Sequence, residues 1–221
     1  MRADTFARLL VLETLVDAEI GYLLEHRPGA PERFREGMIA RVSDLVDEID
    51  TLDAVAAARV YDALVDFLTE LPDDDDGIVE ATLRFKRAVD RTVRRASGGR
   101  EPGDPAVWAV VLDELLAVLA TEYEAALGPD GVRPREYLRA RALLDRARVA
   151  SERMTSAESD DSRAELRTEM DRLAFAIHYR RADLATVESL IRSPQRMARR
   201  RRPSSLARIG AFVVGQLLRR R

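Results

Sequence analysis

Residues 104–126, DPAVWAVVLDELLAVLATEYEAA, decide the fold. Asp104 is a good N-cap, and Pro105 suits the first helical turn, where its missing N–H would have no partner anyway. Behind this start signal come Val107, Trp108, Val110, Val111, Leu112, Leu115, Leu116, Val118, Leu119 and Tyr123. Their side chains cover most of the helix circumference, so the segment needs neighbours on nearly every side. Asp113 and Glu114 interrupt the run, which is also shorter than the ~20 apolar residues of a membrane span. The stretch predicts the central, most buried helix of an all-α protein.

The remaining sequence supplies helices to surround it. Asp4-Thr5 can cap a first helix to about residue 26, with Phe6, Leu9, Leu10, Leu15, Val16, Ile20, Leu23 and Leu24 as its core face. Pro28 and Pro31 punctuate the break that follows. Phe34, Met38, Val42, Leu45, Val46 and Ile49 then recur at three and four, the helical period. A third helix is predicted over 51–71, stopped by Pro72, and a fourth from Asp76-Gly77 to about 96. Residues 97–105, SGGREPGDP, form the clearest break in the chain. The run GPDGVRP at 128–134 ends the central helix; a sixth follows to about 154 and a seventh over 159–191, bending around 180–183.

The expected architecture is seven to eight helices in one or two packed bundles. Residues 1–96 form an N-terminal unit, 104–191 a C-terminal unit, and 192–221 an Arg-rich hinge with a short amphipathic helix. At an offset of 100, Val11-Leu12-Glu13 matches Val111-Leu112-Asp113, and Leu15-Val16 matches Leu115-Leu116. Arg35-Glu36 matches Arg135-Glu136 and Ala40-Arg41 matches Ala140-Arg141. These matches raise an internal duplication against the chance alignment that so biased an alphabet also produces.

Composition removes several chemistries. Cysteine is absent, so disulfides, thiol catalysis and Cys-type zinc sites are out. The chain carries no phosphate-binding Gly-rich loop with Lys, no HExxH, no Gly-x-Ser-x-Gly and no Gly-x-Gly-x-x-Gly. Neither histidine has a Glu three residues before it, as a di-iron bundle requires: Leu23 precedes His26 and Phe175 precedes His178. The acidic run Asp73 to Asp76 before Gly77 resembles part of a calcium loop. Pro72 and Leu83 then fall at its first and twelfth positions, where ligands belong. No cofactor, metal or catalytic residue is expected. An apolar pocket beside Glu122 and Tyr123 is the competing, ligand-binding or enzymatic reading.

Charge supplies the remaining signal. After Glu188 the chain has no acid, and its last thirty residues carry ten arginines. The other residues hold 26 basic against 39 acidic side chains, with Lys86 the only lysine. Within the tail, Leu206, Ile209, Val213, Val214, Leu217 and Leu218 sweep an apolar arc of about 180° around a helix, with Phe212 on its polar side. Residues 206–218 span only about 20 Å as a helix, too short to cross a bilayer.

Three uses follow: an amphipathic helix on an anionic membrane surface, a basic arm on nucleic acid phosphates, or a helix docked on the body or on a second subunit of a homo-oligomer, with the arginines meeting the acidic body. The apolar arc disfavours nucleic acid, since phosphates have no use for it. The predicted membrane- or partner-binding residues are Arg196, Arg199, Arg200, Arg201, Arg202, Leu206, Ile209, Phe212, Val213, Leu217 and Leu218. The functional expectation is a non-enzymatic helical adaptor or scaffold, attached to a membrane surface or an assembly through its basic C-terminal helix. Residues 1–6 lead straight into a helix containing acids, unlike a signal peptide. A cytoplasmic protein, peripheral at the inner face of the membrane when bound there, is the expected setting.

Overall fold

In a computed structural model of the chain, the described residues are 3–26, 31–51, 53–72, 75–96, 103–128, 131–156, 158–179 and 183–202. They form an all-α fold of eight helices: α1 (Ala3–Glu25), α2 (Pro31–Asp50), α3 (Ala54–Thr69), α4 (Asp75–Ala96), α5 (Pro105–Ala126), α6 (Pro134–Met154), α7 (Asp160–His178) and α8 (Leu184–Arg201). Between α5 and α6 the turn includes a two-residue ladder, Leu127 opposite Val132 and Gly128 opposite Gly131. Gly131 has a φ of 120°, a conformation that side chains with a Cβ rarely adopt.

Helix starts follow the caps. Asp104 Oδ1 accepts from the Ala106 N–H at 2.9 Å, with Pro105 in the first turn. Asp53 caps α3 through the Ala56 N–H at 3.0 Å, so that helix begins three residues later than its apolar pattern predicts. Asp183 does the same for α8 through Thr186 at 2.7 Å. That cap explains a second difference. The single helix predicted over 159–191 is two, because α7 stops at His178 and Asp183 starts a new one.

The third difference concerns the tail. In the sequence the regular apolar spacing fades near Ile191, so 192 onward reads as a hinge. In the structure α8 continues through Arg201, and its buried face runs Val187, Ile191, Pro194, Ala198. A proline and an alanine carry the apolar stripe where leucines were sought. Residues 203–221, with the whole predicted 206–218 helix, lie outside the described residues, as do Asp73 and Asp74.

Within each half, neighbouring helices run antiparallel. Phe34 near the start of α2 meets Phe67 near the end of α3, with ring centroids 6.5 Å apart. The Tyr137 hydroxyl at the start of α6 donates to the Ile177 carbonyl at the end of α7 at 2.9 Å. Asp17 of α1 meets Lys86 of α4 at 3.0 Å, and Asp113 of α5 meets Arg199 of α8 at 3.1 Å. In each half the first helix packs on the second and the fourth, and the third closes the ring. The 100-residue offset maps α1 onto α5 and α2 onto α6, which hold corresponding places in the two rings.

The rings share a wall. α1 sends Phe6, Ala7, Leu10 and Val11 into a core with α5, α6, α7 and α8. Its other face places Leu9, Leu12, Val16, Ile20 and Leu23 in a core with α2, α3 and α4. Phe6 meets Trp108 edge-on at 5.8 Å, so α1 and α5 start side by side and run parallel. α5 is the expected centre: Leu112, Leu115, Leu116 and Leu119 are all fully buried. No helix among the described residues is long and apolar enough to cross a membrane.

Candidate attachment site

The C-terminal turn of α8 carries the predicted arginine run. Its geometry is set by the Val187, Ile191, Pro194, Ala198 stripe, which seats α8 on α5 and α7. Arg199 and Arg202 then reach the same carboxylate. Arg199 Nε lies 3.1 Å from both oxygens of Asp113, and an Arg202 Nη lies 2.6 Å from one of them. Asp113 is one of the two acids that interrupt the apolar run of α5. It is 6% exposed, so its charge is largely removed from water and needs these partners.

Arg201 forms a fork with Glu158, in the connection between α6 and α7, through Nε and through an Nη at 2.6 Å. This hydrogen bonding raises the Arg201 pKa above its ordinary value, burial working in the opposite direction. Arg196 and Arg200 are exposed and reach no carboxylate among the described residues. The run is therefore a clamp rather than a hinge: three of its arginines fasten the end of α8 to α5 and to the α6–α7 connection. The predicted tail residues Leu206, Ile209, Phe212, Val213, Leu217 and Leu218 lie outside the described residues.

Antiparallel packing fixes where the clamp sits. Because α8 ends beside Asp113, it ends alongside the N-terminal half of α5. α4 runs antiparallel to α1, since Asp17 meets Lys86 while Glu13 and Thr14 share a cleft with Asp90 and Arg94. Its last turns carry Arg84, Arg87, Arg91, Arg94 and Arg95, all exposed. Basic residues in the last turn of a helix oppose its negative dipole end.

A polar seam runs between α1 and α6. Glu19, buried, accepts from Arg135 Nε at 2.8 Å and also from Arg139. Arg139 in turn approaches Glu122 at 3.5 Å. Glu13 accepts from Arg146 at 3.0 Å. Burial raises the Glu13 pKa although Arg146 opposes it, and burial raises that of Asp17 although Lys86 opposes it. Burial pulls Lys86 down, but Asp17 and Asp90 outweigh it and leave its pKa raised. These groups line an open cleft of about 440 Å³ among α1, α4 and α6, together with Asp145 and Val149. Lys86 pairs with Asp17 and Asp90 and Arg146 with Glu13, so ion pairs join the two rings across the cleft.

Glu122 and Tyr123, the residues of the competing pocket, lie on the side of α5 that meets α6. Tyr123 is 1% exposed in the core beside α6, and Glu122 is turned to Arg139, its own pKa raised by burial. Neither lines the α1–α4–α6 cleft or the larger 670 Å³ cleft between α6 and α7. His178 is half-buried at the end of α7, and His26 stacks on Tyr22 at 4.3 Å. No group of three or more potential metal ligands is assembled among the described residues.

Sequence reasoning missed Asp113 and Glu158 as partners of the arginine run. The available signal was an acid inside the apolar α5, which demands a cation that its own helix does not supply. No protein family, curated protein or solved structure matches the chain.

Proposed function

We propose that the protein is a non-enzymatic helical adaptor or scaffold, attached to an assembly or a membrane surface through residues 203–221. The observation that carries this reading is the clamp. Arg199, Arg201 and Arg202 hold the end of α8 against Asp113 and Glu158, so the basic, apolar tail leaves from a fixed point. A rigid base limits the conformational freedom that the tail loses on binding, which favours attachment. The setting is cytoplasmic, at the inner membrane face if lipid is the target.

Between the two targets, the clamp favours protein. A cation near an anionic leaflet contributes about 1 kcal/mol, so three arginines committed to body carboxylates remove about 3 kcal/mol from lipid attraction. Arg196, Arg200 and the tail's own arginines remain for it. Flotation with anionic vesicles, on chains with and without residues 203–221, tests the membrane version. Tail-dependent flotation supports it; equal recovery of both chains sinks it.

A further inference from the structure

The outer side of the first ring carries an apolar stripe that stays exposed among the described residues. α3 buries Ala57, Val60, Leu64 and Phe67, and faces α4 through Ala63, Asp66, Phe67 and Glu70. On its remaining side, Ala54, Ala58, Tyr61 and Val65, all exposed, fall within an arc of about 60° at the helical repeat. Tyr61 is 56% exposed and Val65 43%. A helix apolar on two sides is expected to have two neighbours. The stripe continues onto α2. Arg35 donates to the Leu71 carbonyl just past α3 at 3.0 Å, so that flank of α2 faces α3, and one turn on it carries Ile39, 46% exposed.

The rim is acidic. Glu32, Glu36, Asp47 and Asp50 are exposed within about 80° of Ile39 around α2, an arc that also holds Arg35, turned to the Leu71 carbonyl, and Asp62 borders the stripe on α3. Two such faces would repel each other if they paired. The complementary segment is in the same chain: residues 203–221 have no acid, four arginines and the apolar arc through Leu206, Ile209, Val213 and Leu217.

A chain's own tail does not reach. From α8 across α5 and α1 to α2 is three interaxial steps, roughly 25–30 Å. Residues 203–205 extend only about 10 Å before the arc begins. We propose that the acid-rimmed α2–α3 stripe receives the C-terminal segment of a second copy of this chain. This rests on the attachment reading and names its partner.

Light scattering on the full chain across a dilution series tests it, alongside Tyr61→Arg/Val65→Arg, Glu36→Arg/Asp62→Arg and, in the tail, Val213→Asp/Leu217→Asp. All four stripe and rim positions are exposed, and unchanged thermal unfolding verifies their folds. The full chain is expected to self-associate, with each variant weakening association tenfold or more, and with high salt weakening the parent. A monomeric full chain overturns the proposal. If the tail variant dissociates the oligomer while both α2–α3 variants leave it intact, the tail attaches elsewhere: the proposal fails and the attachment reading stands. If the tail variant changes neither self-association nor vesicle flotation, both fail.

Discussion

The clamp at Asp113 has an asymmetry that can be measured. Its carboxylate is 6% exposed, whereas Arg199 is 62% and Arg202 36% exposed. Replacing Asp113 with Ala removes the buried member, and both arginines can turn to water. Hydrogen bonds to charged groups are each worth about 1.5–3 kcal/mol, and exposed partners discount that heavily. The expected loss is about 1–2 kcal/mol, or a Tm lowered by roughly 2–8 °C for a chain of this size. The reciprocal change, Arg199→Ala with Arg202→Ala, leaves a buried carboxylate without partners. An uncompensated buried charge costs about 3–5 kcal/mol, so the double arginine variant is expected to be the less stable of the two. Chemical denaturation gives both values, and limited trypsin digestion reports fraying of α8 as faster cleavage in the 199–202 run. If Asp113→Ala proves as destabilising as the arginine pair, burial of the acid is not what holds the end of α8.

Acidity provides a second check. Glu13 and Asp17 have raised pKa values in the fold, so on acidification from neutrality the folded state takes up these protons before the unfolded state does. They therefore add stability as pH falls through the folded values, a gain complete below about 4. The stability of the parent relative to Glu13→Gln is expected to increase as pH falls from neutrality toward the ordinary carboxylate range of about 4 in denaturant titrations; a decrease refutes the burial assignment. Leu116→Ala, at a fully buried position on α5, is expected to cost about 2–5 kcal/mol, while Val149→Ala, 42% exposed, stays within about 0.5 kcal/mol. Asp104→Ala removes the α5 cap and is expected to lower stability by about 1 kcal/mol.

The all-α fold was legible because its signals are local. Asp104-Pro105 and the apolar residues that cover most of the α5 circumference require only neighbouring residues to be understood. The split at α7 and α8 was less visible, since Asp183 announces a cap only once the chain has turned. Harder still was the partnership of Asp113 with Arg199, 86 residues apart. Charge pattern alone leaves the arginines open to an external anion or to the acidic body; only packing shows that an acid stranded in α5 claims two of them. The stripe through Tyr61 and Val65 was hidden for the opposite reason. Periodicity marks apolar positions on α3, and cannot say which of its two apolar sides the bundle leaves open.

The double-faced α1 has a consequence for synthesis. Residues 1–96 emerge first and can close the α1–α4 ring, yet Phe6, Ala7, Leu10 and Val11 then face water until α5 and α6 arrive. At about 5–20 residues per second, the 58 residues from 96 to 154 take roughly 3–12 s. During that interval the nascent chain presents an oily strip next to Glu13 and Glu19, whose arginine partners on α6 come later. The N-terminal ring expressed alone, as residues 1–96, is accordingly expected to aggregate, and co-expression of residues 97–221 to return it to solution. The linker at 97–105 separates two rings in sequence without giving either an independent life.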